Sequence, residues 1–161
     1  MRILVLGDYL PANTIQQMET LTKAAKSLPE SAVITVKPHP ACPVDPRDYP
    51  DLKVSISMEP VEKLLNNCDV AFASSMTSAA VDAYCTGLPV VVLRDPETLN
   101  YSPLRNFAGV FFACTSEELA NYLNEALKLP VQMHDRGAFF TIDKNLPRWR
   151  SLLKKIELVE N

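Results

Sequence analysis

The chain reads as an α/β domain of three layers, a parallel sheet of about six strands with helices on both faces. Two observations predict this. Short apolar runs rich in Val and Ile alternate with longer amphipathic stretches, which is the rhythm of repeated βα units. The 161 residues, 47% of them hydrophobic, also match one domain that buries a core without disulfide or metal staples.

The elements follow in order. Ile3-Leu4-Val5-Leu6 is a buried strand, residues 7–14 are the loop after it, and a helix is expected over 14–28. The second strand, 32–36, stops at Lys37-Pro38-His39-Pro40 because two prolines remove backbone donors. The Pro-rich stretch up to Asp51 is expected as a surface loop. A short third strand covers 54–56, and 60–67 reads as a helix with Pro60 near its first turn and Val61, Leu64 and Leu65 on one face. Asp69 opens a fourth strand, 70–73. Ser74-Ser75 precede a helix over 76–86, with Ala80, Val81 and Tyr84 on its apolar face and Gly87 then Pro89 as stop signals. The fifth strand, 90–93, is apolar throughout and so expected at the centre. Residues 109–112 form a sixth, and Ser116-Glu117-Glu118-Leu119 opens a capped helix that runs to 128. The tail, 146–158, is a basic amphipathic helix expected to pack across the domain.

Several function classes are excluded or disfavoured. A net charge of −3 argues against a general nucleic-acid surface, which needs clustered Lys and Arg, so any phosphate site must be local. Cys42, Cys68, Cys85 and Cys114 form no CxxC pair and have no His at zinc spacing; they read as reduced, small apolar residues of a cytoplasmic protein. The N-terminal apolar run is too short for a secretory signal and ends in Gly7-Asp8. No stretch approaches the roughly 18 apolar residues of a membrane helix. With Gly7, Gly87, Gly109 and Gly137 as the only glycines, neither a G-x-G-x-x-G fingerprint nor a Walker-type phosphate loop is present.

In an open parallel sheet of Rossmann-like type, ligands settle beyond the C-terminal strand ends where the strand order reverses. That rule gathers 7–14, 37–40, 74–78 and 94–100 onto one rim. Ser74-Ser75-Met76-Thr77-Ser78 offers hydroxyls and free amides at a helix start, which suits a diphosphate; the plainer alternative is that Ser75 only caps a buried helix. Ser75, Ser78 and Asp82, at i, i+3 and i+7, would share one helix face, where the carboxylate could take ribose hydroxyls. The alternative for Asp82 is a solvated helix residue. His39, held by Pro38 and Pro40 in a stiff loop, offers donors to a phosphate together with Lys37, although an isolated loop His is more often incidental. His134 reads as surface. Arg94 and Asp95 end the fifth strand, and Thr98 and Asn100 follow in a polar loop able to close over a base or sugar.

The series Lys37-Pro38-His39-Pro40, then Ser74-Ser75, then Asp82 followed by Gly87-Leu88-Pro89-Val90 resembles the donor-binding, C-terminal half of two-domain GT-B glycosyltransferases, over residues 1–128. Within that superfamily it is similar to bacterial surface-carbohydrate enzymes, including the sialyltransferases and polyol-phosphate transferases whose HP and SS motifs serve cytidine-nucleotide donors. The resemblance implies that His39, Ser74, Ser75, Thr77 and Ser78 meet the donor phosphates. Asp82 stands where many relatives carry a ribose-binding Glu, with a shorter reach, and Arg94 joins it as a candidate for the ribose or base. It further implies a nucleotide-sugar donor of CMP, CDP or UDP type as substrate, no metal and no other cofactor, in keeping with the lack of an acidic D-x-D motif. Because such halves bind acceptor through an N-terminal domain, the chain is expected to be a fragment or one subunit of a pair, inactive alone. Peripheral membrane association of the full-length enzyme fits the same class. Two other readings share the architecture. One is a UDP-sugar 2-epimerase-like domain, which needs acidic proton-transfer groups that have no evident place here. The other is a non-enzymatic flavodoxin-like or receiver-like module; against a receiver, Asp8 lacks a paired acid and the fifth strand ends in Arg94 rather than Lys.

Overall fold

The computed structural model describes residues 1–129, 139 and 145–157. The element order is β1 (Arg2–Leu6), α1 (Pro11–Ala25), β2 (Val33–Lys37), β3 (Val54–Ile56), α2 (Val61–Leu65), β4 (Val70–Ser74), α3 (Ala79–Cys85), β5 (Val90–Leu93), β6 (Val110–Ala113), α4 (Ser116–Ala126) and α5 (Pro147–Glu157). The six strands form one sheet in the order β3-β2-β1-β4-β5-β6, and every neighbouring pair is parallel. The expected architecture is therefore the observed one.

Side chains alternate across each strand, so the near-continuous apolar runs feed two cores. Ile3 and Val5 of β1, Val70 and Phe72 of β4, and Val91 and Leu93 of β5 point to the face covered by α1 and α4, where Met18, Leu21, Leu119 and Leu123 meet them. Leu4, Leu6, Ala71, Ala73, Val90 and Val92 point the other way, onto Ala80, Val81, Ala83 and Tyr84 of α3 and Leu65 of α2. Phe72 is the largest side chain buried completely, at the middle of the first core. Fully burying each such apolar side chain contributes about 1.5–3 kcal/mol.

Several boundaries differ from the sequence reading for local reasons. The first long helix begins at Pro11, not at residue 14, because Pro11 occupies its first turn with φ already set. The Pro-rich stretch after β2 is more than a surface loop: Cys42 and Leu52 are buried, Val44 and Tyr49 pack on the first core, and a short 3-10 turn spans Pro46–Asp48. The helix expected over 76–86 starts only at Ala79, since the Met76 N–H is turned back to the Ser74 hydroxyl at 3.3 Å. It ends as expected. Gly87 takes φ 86°, its N–H donates to the Tyr84 carbonyl and the Leu88 N–H to that of Ala83, the paired closure that only a residue tolerant of positive φ supplies cheaply. The fully buried β5 is internal, but β1 and β4 hold the middle.

The tail helix forms, yet it does not pack across the domain. Trp149, Leu152 and Leu153 are 63%, 49% and 55% exposed. The physical reason is that α1, α4 and α3 already cover both faces of the sheet, and Arg148, Arg150 and Lys154 crowd the apolar stripe. His134 and Gly137 lie outside the described residues. No helix among the described residues is long and apolar enough to cross a membrane.

Candidate functional site

The strand order places the reversal between β1 and β4: β1 leads through α1 to β2 on one side, and β4 leads through α3 to β5 on the other. The two loops leaving these strands diverge there and leave a crevice. Its floor is organised by buried polar groups. Gln17, wholly buried on α1, donates its amide to the carbonyls of Leu6 at 3.1 Å and Phe72 at 3.4 Å, joining the ends of β1 and β4 from below. Its Oε1 has no hydrogen-bond partner among the described residues.

Asp8, also fully buried, sits directly after β1. Its carboxylate accepts from the Leu10 N–H at 2.9 Å, the Asn13 side-chain amide at 3.1 Å and the Ser74 hydroxyl, while its carbonyl accepts from the Thr14 hydroxyl at 3.1 Å. One carboxylate thus ties the loop after β1, the first turn of α1 and the end of β4 together. The sequence reading assigned Asp8 no site role. The signal that could have found it is an acid directly following a buried strand, with Asn13 five residues on.

The bond from Ser74 bears on phosphate recognition. A serine hydroxyl has one proton, and that of Ser74 goes to Asp8 while its oxygen accepts from the Met76 N–H. Ser74 therefore offers an anion no donor in this arrangement. Ser75 and Thr77 are half-buried and Ser78 is exposed, all in the turn ahead of α3. The helix face expected to carry Ser75, Ser78 and Asp82 does not form, because Ser75 precedes the helix by a turn. Asp82 lies exposed on α3, away from the crevice lining.

Above Asp8 opens a hollow of about 190 Å³, lined by Leu10, Asn13 and Gln16 from α1 and its approach, by Ser74 at the end of β4 with Ser75 and Met76 beyond it, and by Leu93 at the end of β5 with Asp95, Thr98 and Tyr101 beyond it. Three of the four expected rim segments thus meet. The loop after β5 is held by its own bonds: Asp95 Oδ1 accepts from the Glu97 N–H at 2.9 Å, the Ser102 hydroxyl accepts from the Leu104 N–H at 3.2 Å, and Leu104 is fully buried. Tyr101, 61% exposed, is a lining residue that sequence reasoning missed. Arg94 is half-buried beside the hollow without lining it, and its Nε has no hydrogen-bond partner among the described residues.

The fourth segment stands one strand away. The Gly7 N–H donates to the Lys37 carbonyl at 3.0 Å, and a side chain at Gly7 would meet the His39 nitrogen at 3.0 Å and Pro38 Cα at 3.1 Å. This close approach is why glycine stands there. His39 lies with its ring edge-on to Tyr9, centroids 6.2 Å apart, and its Nδ1 accepts from the Ala41 N–H at 3.1 Å, which leaves the proton of the neutral ring on Nε2. The Cys42 thiol donates to the Tyr9 carbonyl at 2.9 Å, which ties the loop after β2 to the loop after β1. Lys37 and His39 border this junction and do not line the hollow.

None of the four cysteines is in a disulfide, and burial pushes the Cys68 thiol up to about 11. Among the described residues no group of three or more His, Cys, Asp or Glu side chains converges as a metal site would require.

No protein-family model matches the sequence, and no curated protein matches it. A solved structure does. The fold is similar to that of the catalytic domain of cholesterol-alpha-glucosyltransferase from Helicobacter pylori, with a TM-score of 0.56 and 17% identity over 80% of this chain and 87% of that one. This is a Rossmann-like α/β domain of the architecture found in that catalytic domain.

Proposed function

We propose that the chain binds the nucleotide-activated sugar or polyol donor of a metal-independent glycosyltransferase of surface-polysaccharide synthesis. The observation that carries the reading is the hollow at the β1/β4 reversal, whose polar lining is hydroxyl, amide and one carboxylate. Asp95, Asn13, Gln16 and Thr98 are the groups that hydroxyl-rich ligands need, and Tyr101 offers an aromatic face to a ring. Among the described residues the lining contains no cation, so the neutral glycosyl part or the ribose belongs in the hollow and the phosphates at its margin. There the hydroxyls and amides of 75–78, with Lys37 and His39 across the Gly7 loop and Arg94 beside Asp95, are the available partners.

At about 190 Å³ the hollow is smaller than the roughly 300–1,000 Å³ of a site that encloses a whole drug-sized ligand. The rest of the donor then lies across the rim, to be covered by a second, acceptor-binding domain or subunit. On this reading the protein's contribution to transfer is to orient the donor and to stabilise the departing phosphate with fixed donors.

Titration of the chain with CMP, CDP, UDP, UMP and the corresponding nucleotide sugars, followed by backbone amide NMR, tests the proposal. Shifts localised to 13–16, 74–78 and 95–101 with a pyrimidine nucleotide are expected, and larger shifts in 95–101 with the sugar attached. A chain that responds to none of these ligands overturns the reading. Glycosyl transfer by the chain alone would refute its dependence on a second domain.

A further inference from the structure

The internal bonds of the hollow decide what a ligand must bring to it. Three lining groups have no proton to give. The Ser74 proton goes to Asp8, and the Thr98 hydroxyl donates to the Asp95 carbonyl at 3.3 Å, so each presents only lone pairs. Asp95 accepts from the Glu97 N–H through Oδ1, and its other oxygen has no hydrogen bond or ion pair among the described residues. Asn13 turns its amide nitrogen to Asp8 at 3.1 Å, which leaves its oxygen for other partners. Gln16, Ser75 and Tyr101 can donate or accept, and no lining residue among those described is a cation.

Asp8 is the origin of this bias. Fully buried beneath the lining, it draws the Ser74 proton and one Asn13 amide hydrogen away from the hollow. A hydroxyl or a protonated amine that enters supplies the hydrogens these oxygens lack. A carboxylate supplies none: it meets lone pairs and the charge of Asp95, and gives up its water without replacement. Sites built to hydrogen-bond a ligand's O–H or N–H discriminate against its analogues for this reason.

We propose that the hollow selects hydroxyl- and amine-bearing glycosyl or polyol groups against carboxylated ones such as sialyl and uronyl groups, and that Asp8 is the positioning residue that sets this polarity through Ser74. The selectivity rests on the reading of the hollow as the glycosyl end of a donor site. It narrows the donors of that site: polyol nucleotides fit and sialyl nucleotides do not.

Two separate titrations of the full chain, followed by backbone amide NMR at constant ionic strength, test this. The first uses glucose, glucosamine and glucuronate at millimolar concentrations and about pH 6.5, where the amine holds its proton and the carboxylate has lost its own. Shifts at 13–16, 74–76 and 95–101 are expected with glucose and glucosamine, glucosamine binding at least as tightly and glucuronate about tenfold more weakly or worse. Asp95→Asn keeps Oδ1 for the Glu97 N–H and removes the charge. Asp8→Asn keeps Oδ1 for the Leu10 N–H and turns a donor to Ser74 and Asn13, returning their hydrogens to the hollow. Each variant narrows the gap between glucose and glucuronate to about threefold or less. A merely structural Asp8 would weaken the sugars alike and leave their ratio unmoved. Glucuronate binding as tightly as glucose, glucosamine binding more weakly than glucose, no response at these positions, or a ratio unmoved in both variants overturns the proposal. The second titration uses CMP, CDP, UMP and UDP without sugar. Sugar discrimination with no nucleotide bound removes the donor reading and leaves the selectivity of the hollow standing, whereas nucleotide binding with no sugar discrimination does the reverse.

Discussion

Replacing Asp8→Ala removes the acceptor of three hydrogen bonds at once, from the Leu10 N–H, the Asn13 amide and the Ser74 hydroxyl. The three losses are unequal. Leu10 is exposed and Asn13 half-buried, so water can replace the carboxylate for both, whereas Ser74 is 5% exposed and its hydroxyl is stranded. A stranded buried donor costs about 1–3 kcal/mol and each rehydrated one a fraction of that, which sums to about 2–4 kcal/mol. For a chain of this length that lowers Tm by about 5–15 °C. Asp8→Asn keeps the volume and one acceptor, and the Ser74 hydroxyl can reverse to accept, so its cost is about 1–2 kcal/mol. Urea unfolding followed by circular dichroism measures both, since the single tryptophan lies on the exposed tail helix. A cycle with Ser74→Ala then isolates the coupling, expected at about 1 kcal/mol or more for groups in direct contact. An Asp8→Ala variant within about 0.5 kcal/mol of the parent would refute the view that this carboxylate organises the crevice.

Gly7→Ala forces a methyl to within 3.1 Å of backbone atoms of Pro38 and His39 and should cost about 1–3 kcal/mol in the same urea assay, with NMR shifts concentrated at 37–39. Phe72→Ala empties the centre of the first core and should cost about 3–5 kcal/mol. Asp69 is held below the ordinary 3.8 by its bonds to the Arg2 side chain and then by the Arg2 backbone N–H and charge. Because the folded value is the lower one, its contribution is whole above about pH 3.8 and fades as pH falls through the folded value; Asp69→Asn should flatten the acid limb of a stability profile over that window. The Cys68 thiol, pushed up to about 11 by burial, should resist iodoacetamide at pH 8 in the native chain and react on unfolding, as peptide mass spectrometry would show.

The β elements were legible because a strand buried on both faces leaves an apolar run in the sequence, and Val90-Val91-Val92-Leu93 can be little else. Helix starts were less legible. Ser75 reads as a capping serine, but the hydroxyl of Ser74 just before it is drawn to Asp8, a partner 66 residues away that no local pattern reveals, and the turn that follows delays α3 to Ala79. The rim segments were foreseeable from the rule of strand ends. Which of their residues turn inward was not, and so Asp82 was expected in the crevice while Asn13, Gln16 and Tyr101 were overlooked. The tail helix showed its amphipathic period but not its target, because periodicity says that a face is apolar without saying what meets it.

The central place of β1 has a consequence for how the molecule is made. Its neighbour β4 follows only after α1, β2, β3 and α2, so during synthesis β1 carries one unpaired edge until β4 has emerged. Pairings so distant in sequence close slowly. An apolar strand waiting with an open edge is the kind of segment that pairs with the wrong neighbour. Nascent chains arrested before β4 should therefore be the aggregation-prone species, and chains arrested just after it should acquire protection in β1, β2 and β4 together.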